Sequence, residues 1–397
     1  MLRQSLSLQF LGTGSQKSTL ARSAQSMVLL IRNGYQIGEW LFDCGDLTTH
    51  QIYSLQRQMK GYSVDEKQKE LILRPSRVSK IFITHLHGDH ILGLPSFLSD
   101  AGVSRTQANS SVPIDIYGPP GLAKFLKTVF MLTDSKLNHP CVVHELYDNE
   151  NDPRLEELTD KLQYSDKRIQ VNPVFPKKDG FWSLVSGPLG NIQAGSIHHT
   201  IQCFGYLYES PLPSFMIDDE EVKKRLLPLQ TDLQAYGITE TDVLKRLHHR
   251  QKITLPNGAV LDPSDPALSK VSQLTRKRIG ILGDTDNACN VTPLMAGCDV
   301  LVHESTLIPL QKEMKGRTME EMEEMAKRTG HSTTSMAARY ARGIGAKKLI
   351  LTHLSSRYPA CSARYEPPEI QEMRQLAISN YGSNNVCIAE DLMRIPL

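Results

Sequence analysis

Three observations predict a layered α/β fold. Short β-branched apolar runs are interleaved with helical stretches through both halves of the chain, the pattern of sheets covered by helices. Several of these runs end in a histidine or a carboxylate, as strands do when they deliver side chains to one sheet edge. At 397 residues, 40% hydrophobic and 22% charged, the chain has core for one large domain or two modest ones.

Taken in order, residues 5–11 and 26–32 read as strands joined by Gly12-Thr13-Gly14-Ser15, and Trp40–Asp43 as a third. Residues 47–59 read as a helix and the polar 60–77 as a loop or helix extension. Val78–Thr84 is short, apolar and β-branched, hence a buried strand. A strand at 113–117, a helix at 119–132, a charged surface insertion at 147–168 and strands at 192–198 and 203–208 follow. The stretch 209–275 is proline-rich, mixed in charge and poor in long apolar runs, so it reads as an appendage. The core resumes with strands at 278–282, 299–303, 348–352 and 386–389 and helices at 318–328, 332–343 and 367–379. The expected organisation is 1–208 and 276–397 as two parts of one domain, with 209–275 inserted.

Composition narrows the function. A net charge of +2 excludes a polycation, so any nucleic-acid contact must come from a local patch. Seven scattered cysteines without a C-x-x-C pair argue for a reducing compartment and against a disulfide framework or a cysteine metal site. There is no run of 18 apolar residues and no signal-peptide pattern in Met1–Phe10, so a soluble, intracellular, cytoplasmic protein is expected, with nucleus or organelle left open.

The chemistry concentrates in Thr84-His85-Leu86-His87-Gly88-Asp89-His90. On an extended backbone His85 and His87 point the same way, and Asp89 and His90 follow where the chain turns into a helix at Gly88. Imidazole and carboxylate suit zinc or a similar borderline metal, and ligands this close suggest two ions. Four ligand-type side chains in six positions are hard to explain by packing. The other candidates, His198 and His199, Asp284, His303 and Glu304, and His353, each follow an apolar run. Any one alone would read as an ordinary core or surface residue; their repetition is the signal.

With Phe10–Ser15, His199…Gly205-Tyr206, Gly283-Asp284-Thr285, His303-Glu304-Ser305-Thr306, Gly330-His331-Ser332-Thr333 and Thr352–Tyr358 in this order, the chain resembles the tRNase Z family of the metallo-β-lactamase superfamily. The resemblance implies an αβ/βα four-layer sandwich with an inserted substrate-binding arm. It implies two zinc ions per subunit, with manganese or iron able to use the same ligands. His85, His87 and His199 would hold the first ion, Asp89, His90 and His353 the second, and Asp284 would bridge them. His199 is preferred over His198 for its spacing to Gly205-Tyr206.

The implied activity is removal of the 3′ trailer from precursor tRNA by a metal-activated hydroxide, leaving a 3′-hydroxyl tRNA and a 5′-phosphate trailer. Asp89 would orient or deprotonate the attacking water, His331 would protonate the leaving oxygen, and Glu304 would orient His331 or serve as a supporting residue. Asp43 and Asp46 are candidate carboxylate partners of the ligand histidines. Lys223-Lys224-Arg225 and the run containing Lys245, Arg246 and Arg250 are candidate phosphate contacts on the arm. Ser355, Arg357 and the Gly12–Ser15 turn are candidates nearer the metals. The resemblance also implies a homodimer. The competing readings are another dinuclear hydrolase, acting on a small phosphodiester or related ester, and a catalytically silent RNA-binding scaffold.

Overall fold

The computed structural model describes residues 5–33, 36–60, 72–107, 110–155, 168–211, 216–249, 251–270, 276–361 and 365–397. Arg250 and parts of the polar stretches 60–77 and 147–168 therefore lie outside the described residues.

The first half contributes β1 (Ser5–Gly12), β2 (Gly14–Ser15), β3 (Ser26–Asn33), β4 (Gln36–Phe42) and α1 (Thr48–Lys60). It continues with β5 (Val78–Phe82), α2 (Gly88–Ile91), α3 (Leu94–Gln107), β6 (Ile114–Gly118), α4 (Leu122–Leu132), β7 (Cys141–Leu146) and β8 (Ile169–Val174). Next come β9 (Trp182–Gly187), β10 (Gly190–Ile197) and β11 (Cys203–Glu209). The 209–275 stretch holds β12 (Met216–Ile217), α5 (Asp219–Leu226), α6 (Gln230–Ala235), α7 (Glu240–His248), β13 (Ile253–Thr254), β14 (Val260–Leu261) and β15 (Ser269–Lys270). The chain then forms β16 (Arg278–Leu282), α8 (Thr292–Met295), β17 (Val300–Glu304), α9 (Gln311–Met314), α10 (Met319–Arg328) and α11 (Thr334–Gly343). It closes with β18 (Leu349–Thr352), β19 (Leu354–Ser355), α12 (Pro368–Tyr381), β20 (Val386–Ile388) and β21 (Arg394–Pro396).

Two sheets carry the architecture. The first runs β21-β1-β3-β4-β5-β6-β7-β8 and the second β20-β18-β17-β16-β11-β10-β9. Along β3, Met27, Leu29 and Ile31 enter the core between the sheets while Val28 and Leu30 face the helices outside. Such a strand is buried on both faces, which is why it reads as a continuous apolar run. Aromatic side chains dominate the space between the sheets: Phe82 stacks between Phe42 and Tyr117 at centroid distances of 4.9 and 5.1 Å. On the far side of the first sheet, Leu94, Phe97 and Leu126 from α3 and α4 pack on it. Ala337, Ala341, Met373 and Ala377 from α11 and α12 do the same for the second. The order is helix, sheet, sheet, helix, the expected four layers.

Sequence reading missed β7, β8, β9 and β21. In β7 and β8 the alternate positions carry His144 and Asn172, so the apolar run is broken. The 209–275 stretch is more regular than its composition suggested. Its helices bury only Val222 and Leu226, Leu233, and Val243, Leu244 and Leu247, on segments of eight, six and nine residues. That is too short for a 3.6-residue period to stand out, yet with Ile253, Leu255, Leu261 and Leu268 these side chains form a separate core cluster.

Candidate metal centre

The site lies where strands of both sheets end. After β5 the chain stays extended through His87 (φ −67°, ψ 149°) and then enters α2, which carries Asp89 and His90. Gly88 does not take a left-handed conformation at this turn. The steric demand falls instead on Gly45 and Gly93. A Cβ on Gly93 would lie 2.0 Å from the Gly45 carbonyl oxygen, and one on Gly45 would lie 2.2 Å from that of Asp89. That close approach presses the Asp43–Gly45 segment against α2.

The candidate ligands converge. His85 Nε2 lies 3.0 Å from His87 Nδ1, and His87 Nδ1 lies 3.2 Å from His199 Nε2. On the other side His90 Nε2 and His353 Nε2 are 3.2 Å apart, with Asp89 Oδ2 3.2 Å from His353 Nε2. Asp284 Oδ2 sits between the groups, 3.7 Å from His85, 3.5 Å from His90 and 3.4 Å from His353. A pair of facing ring nitrogens can share only one proton, whereas a cation among them is bound by every lone pair at once. His85, His87, His199 and Asp284 form one such group and Asp89, His90 and His353 a second, so this donor set fits two ions of the zinc type.

Three of the rings are held from outside. His90 Nδ1 meets Asp43 Oδ2 at 2.8 Å, His199 Nδ1 meets the Gly330 carbonyl at 2.7 Å and His353 Nδ1 meets Thr306 Oγ1 at 2.9 Å. These contacts aim the opposite nitrogens inward. Burial opposes charge on Asp284, but His353 and His90 outweigh it and hold the carboxyl well below its ordinary range. Burial holds the His85 imidazole neutral, the form that ligates a metal.

At the edge of the cluster His331 Nδ1 lies 3.0 Å from Glu304 Oε1. Burial disfavours the imidazolium, yet Glu304 overrides it and pushes His331 up to about 9. Glu304 is buried and also accepts the Thr285 N–H at 2.9 Å, beside Asp284.

Other expected residues fall elsewhere. His303 is buried against Tyr340, with Nδ1 at 2.8 Å from the Glu304 carbonyl. His198 is exposed and pairs with Asp286 at 2.5 Å. Asp43 reaches a ligand histidine, whereas Asp46 accepts the N–H of Leu47 at 2.9 Å and is exposed. The Gly12–Ser15 turn offers less to a phosphate than expected, since Thr13 N donates to Asp391 (2.9 Å) and Gly14 N to the Ser23 carbonyl (2.9 Å). Ser355 and Arg357 follow His353, with Arg357 exposed and its Nε 3.2 Å from Ser355 Oγ. Lys245 and Arg246 are exposed on α7, while Lys223 lies 3.6 Å from Glu240 and Arg225 lies 3.3 Å from Glu221. Sequence reading missed the roles of Thr84 and Thr306, and the Gln16 N–H that donates to Asp89 Oδ2 at 2.6 Å. The two threonines stand beside ligand-type residues in the sequence, and that adjacency was the only signal available; a backbone donor leaves no residue-type signal.

Two sheets sandwiched between helices, with a histidine–aspartate cluster at their common edge, define a metallo-β-lactamase fold. Residues 6–128 match the family model described as anti-Pycsar protein Apyc1. Zinc phosphodiesterase ELAC protein 1 of Bos taurus is 32% identical, with 99% of each chain covered. Ribonuclease Z of Streptococcus gordonii is 31% identical, covering 99% of this chain and 100% of its own. The crystal structure of the short form of human tRNase Z superposes with a TM-score of 0.57 at 25% identity, covering 98% of both chains. The chain belongs to the ribonuclease Z family. Among the described residues no helix is long and apolar enough to cross a membrane.

Proposed function

We propose that this protein is a zinc-dependent endoribonuclease that removes the 3′ trailer from precursor tRNA. The carrying observation is the pair of histidine–aspartate groups with Asp284 between them and the Glu304–His331 pair at their edge, in a chain that matches a ribonuclease Z over 99% of its residues. His85, His87 and His199 would hold one ion, Asp89, His90 and His353 the other, with Asp284 shared. Bound there, two zinc ions supply an acidified water and neutralise charge on the scissile phosphate; manganese or iron suits the same donors.

The chain's own groups manage the protons. Asp89, held by the Gln16 N–H, takes the proton of the attacking water. As oxygen adds to phosphorus, the bond to the ribose 3′-oxygen breaks, and that oxygen takes a proton from His331 Nε2 while Nδ1 stays bonded to Glu304. The products are a 3′-hydroxyl tRNA and a 5′-phosphate trailer. The arm around residues 209–275 presents Lys245 and Arg246 to the RNA backbone, and Ser355 and Arg357 face the acceptor end. We further propose a homodimer working in the cytoplasm.

The test is incubation of the zinc-loaded protein with a trailer-bearing precursor tRNA and, separately, with bis-p-nitrophenyl phosphate. A single cut at the trailer junction with a 3′-hydroxyl end is expected. Turnover of the small ester with intact tRNA would instead identify a hydrolase of small phosphodiesters.

A further inference from the structure

We infer that Thr306 is a positioning residue that relays the charge of Glu304 to His353 and thereby fixes which nitrogen of His353 faces the metal. Thr306 Oγ1 has one proton to give and two lone pairs. It lies 2.6 Å from Glu304 Oε2 and 2.9 Å from His353 Nδ1. Glu304 Oε1 accepts the Thr285 N–H and faces His331 Nδ1, and Oε2 accepts the Thr306 N–H, so this carboxylate is placed to accept on both oxygens and the hydroxyl proton goes to it. The Thr306 oxygen then accepts from His353, which must carry its proton on Nδ1. Nε2 is left with its lone pair, and Nε2 is the atom that faces His90, Asp89 and Asp284 at 3.2–3.4 Å.

The backbone supports the same reading. His353 is fully buried and sits at φ +57°, a left-handed conformation that a non-glycine residue holds only when its surroundings demand it. The His353 carbonyl oxygen, 3.2 Å from Thr306 Oγ1, is the other acceptor within reach of that hydroxyl, and the contact of 2.6 Å to Glu304 Oε2 is the shorter and takes the proton. The Thr306 N–H donates to the same Glu304 oxygen at 3.1 Å, which fixes the hydroxyl relative to the carboxylate. Glu304 thus organises both sides of the site: Oε1 faces His331 and the Thr285 N–H, and Oε2 reaches His353 through Thr306.

This inference rests on the metal reading of the site, so zinc binding is measured apart from RNA cleavage. The zinc-loaded protein, Thr306→Val and Thr306→Ser are titrated against a zinc chelator of known affinity. His353 is followed by its ring N–H in long-range proton–nitrogen spectra. Thr306→Val should lose about 10–100-fold in affinity for one zinc per subunit, with the His353 ring signals shifted, while Thr306→Ser stays near wild type. Wild-type zinc affinity in a Thr306→Val variant that melts cooperatively would overturn the relay. So would a wild-type His353 that carries its proton on Nε2, a result that needs no variant to fold. A wild type that binds no zinc would overturn the metal reading itself.

Discussion

Asp43 and His90 form a buried pair, with Oδ2 2.8 Å from Nδ1, although they come from different segments of the first sheet's edge. The other Asp43 oxygen accepts the Thr84 N–H at 2.8 Å, so one carboxylate ties the strand leading into His85 to the helix carrying His90. Asp43 adopts φ +54° to do this. Its residue type matters less as a charge on the surface than as a bracket inside the site.

Asp43→Ala therefore has two separable effects. Loss of the partner to His90 should cost about 10–100-fold in zinc affinity, read by chelator competition. The Thr84 N–H, left buried without its acceptor, should cost about 1–3 kcal/mol in urea unfolding of the metal-free protein. Unchanged zinc affinity would show that His90 is oriented by packing alone.

His331→Ala should separate chemistry from metal binding. A ribose 3′-oxygen is a poor leaving group without a proton, so cleavage of precursor tRNA should fall by about 10²–10⁴-fold. The p-nitrophenolate of the small ester leaves unprotonated and its turnover should fall far less, with zinc content intact. Equal loss of turnover and zinc would place His331 among the groups that hold the metal.

How much of this was legible follows from where information sits in a chain. His85, His87, Asp89 and His90 stood out because the ligands are adjacent and lie at a strand end. His199, Asp284 and His353 stood out only together, by the repetition of polar residues after apolar runs and by motif order, since one such residue alone is common. His303 and Asp46 show the cost of that reading: the same local pattern led one ring into the core beside Tyr340 and the other side chain to a surface turn. The strands β7 and β8 stayed hidden because His144 and Asn172 take alternate positions. What could not be read were contacts made by backbone atoms, such as Gln16 N to Asp89 and the Gly330 carbonyl to His199.

Lys245 and Arg246 are the arm's clearest candidates for the RNA backbone, exposed on α7 beyond the acidic first turn at Glu240 and Asp242. Replacing both with alanine should raise KM for precursor tRNA and leave bis-p-nitrophenyl phosphate untouched. The slope of log affinity against log salt should flatten by about 0.7–0.9 for each phosphate that is no longer neutralised. An unchanged slope would mean that these side chains face solvent in the complex.

Stability should respond to acid through a cluster that has no part in the site. Asp115 on β6 bonds Lys80 on β5 at 2.7 Å and His144 on β7 at 3.1 Å. Asn172 on β8 lies 3.0 Å from the other His144 nitrogen, so the chain of contacts crosses four parallel strands. Burial alone would raise the Asp115 carboxyl, but His144 and Lys80 outweigh it and hold it below its ordinary value. A carboxylate depressed in the folded state stabilises the fold above its unfolded value, about 3.9, and the gain fades as pH falls through the folded value. Asp115→Asn should accordingly cost on the order of 1 kcal/mol at pH 7, since the pair is partly screened by water. In urea unfolding at pH 7, 5 and 3 the gap between wild type and variant should narrow at the lowest pH, because protonation removes from the wild type what the variant already lacks. A gap of constant size would assign the cost to poorer packing rather than to charge.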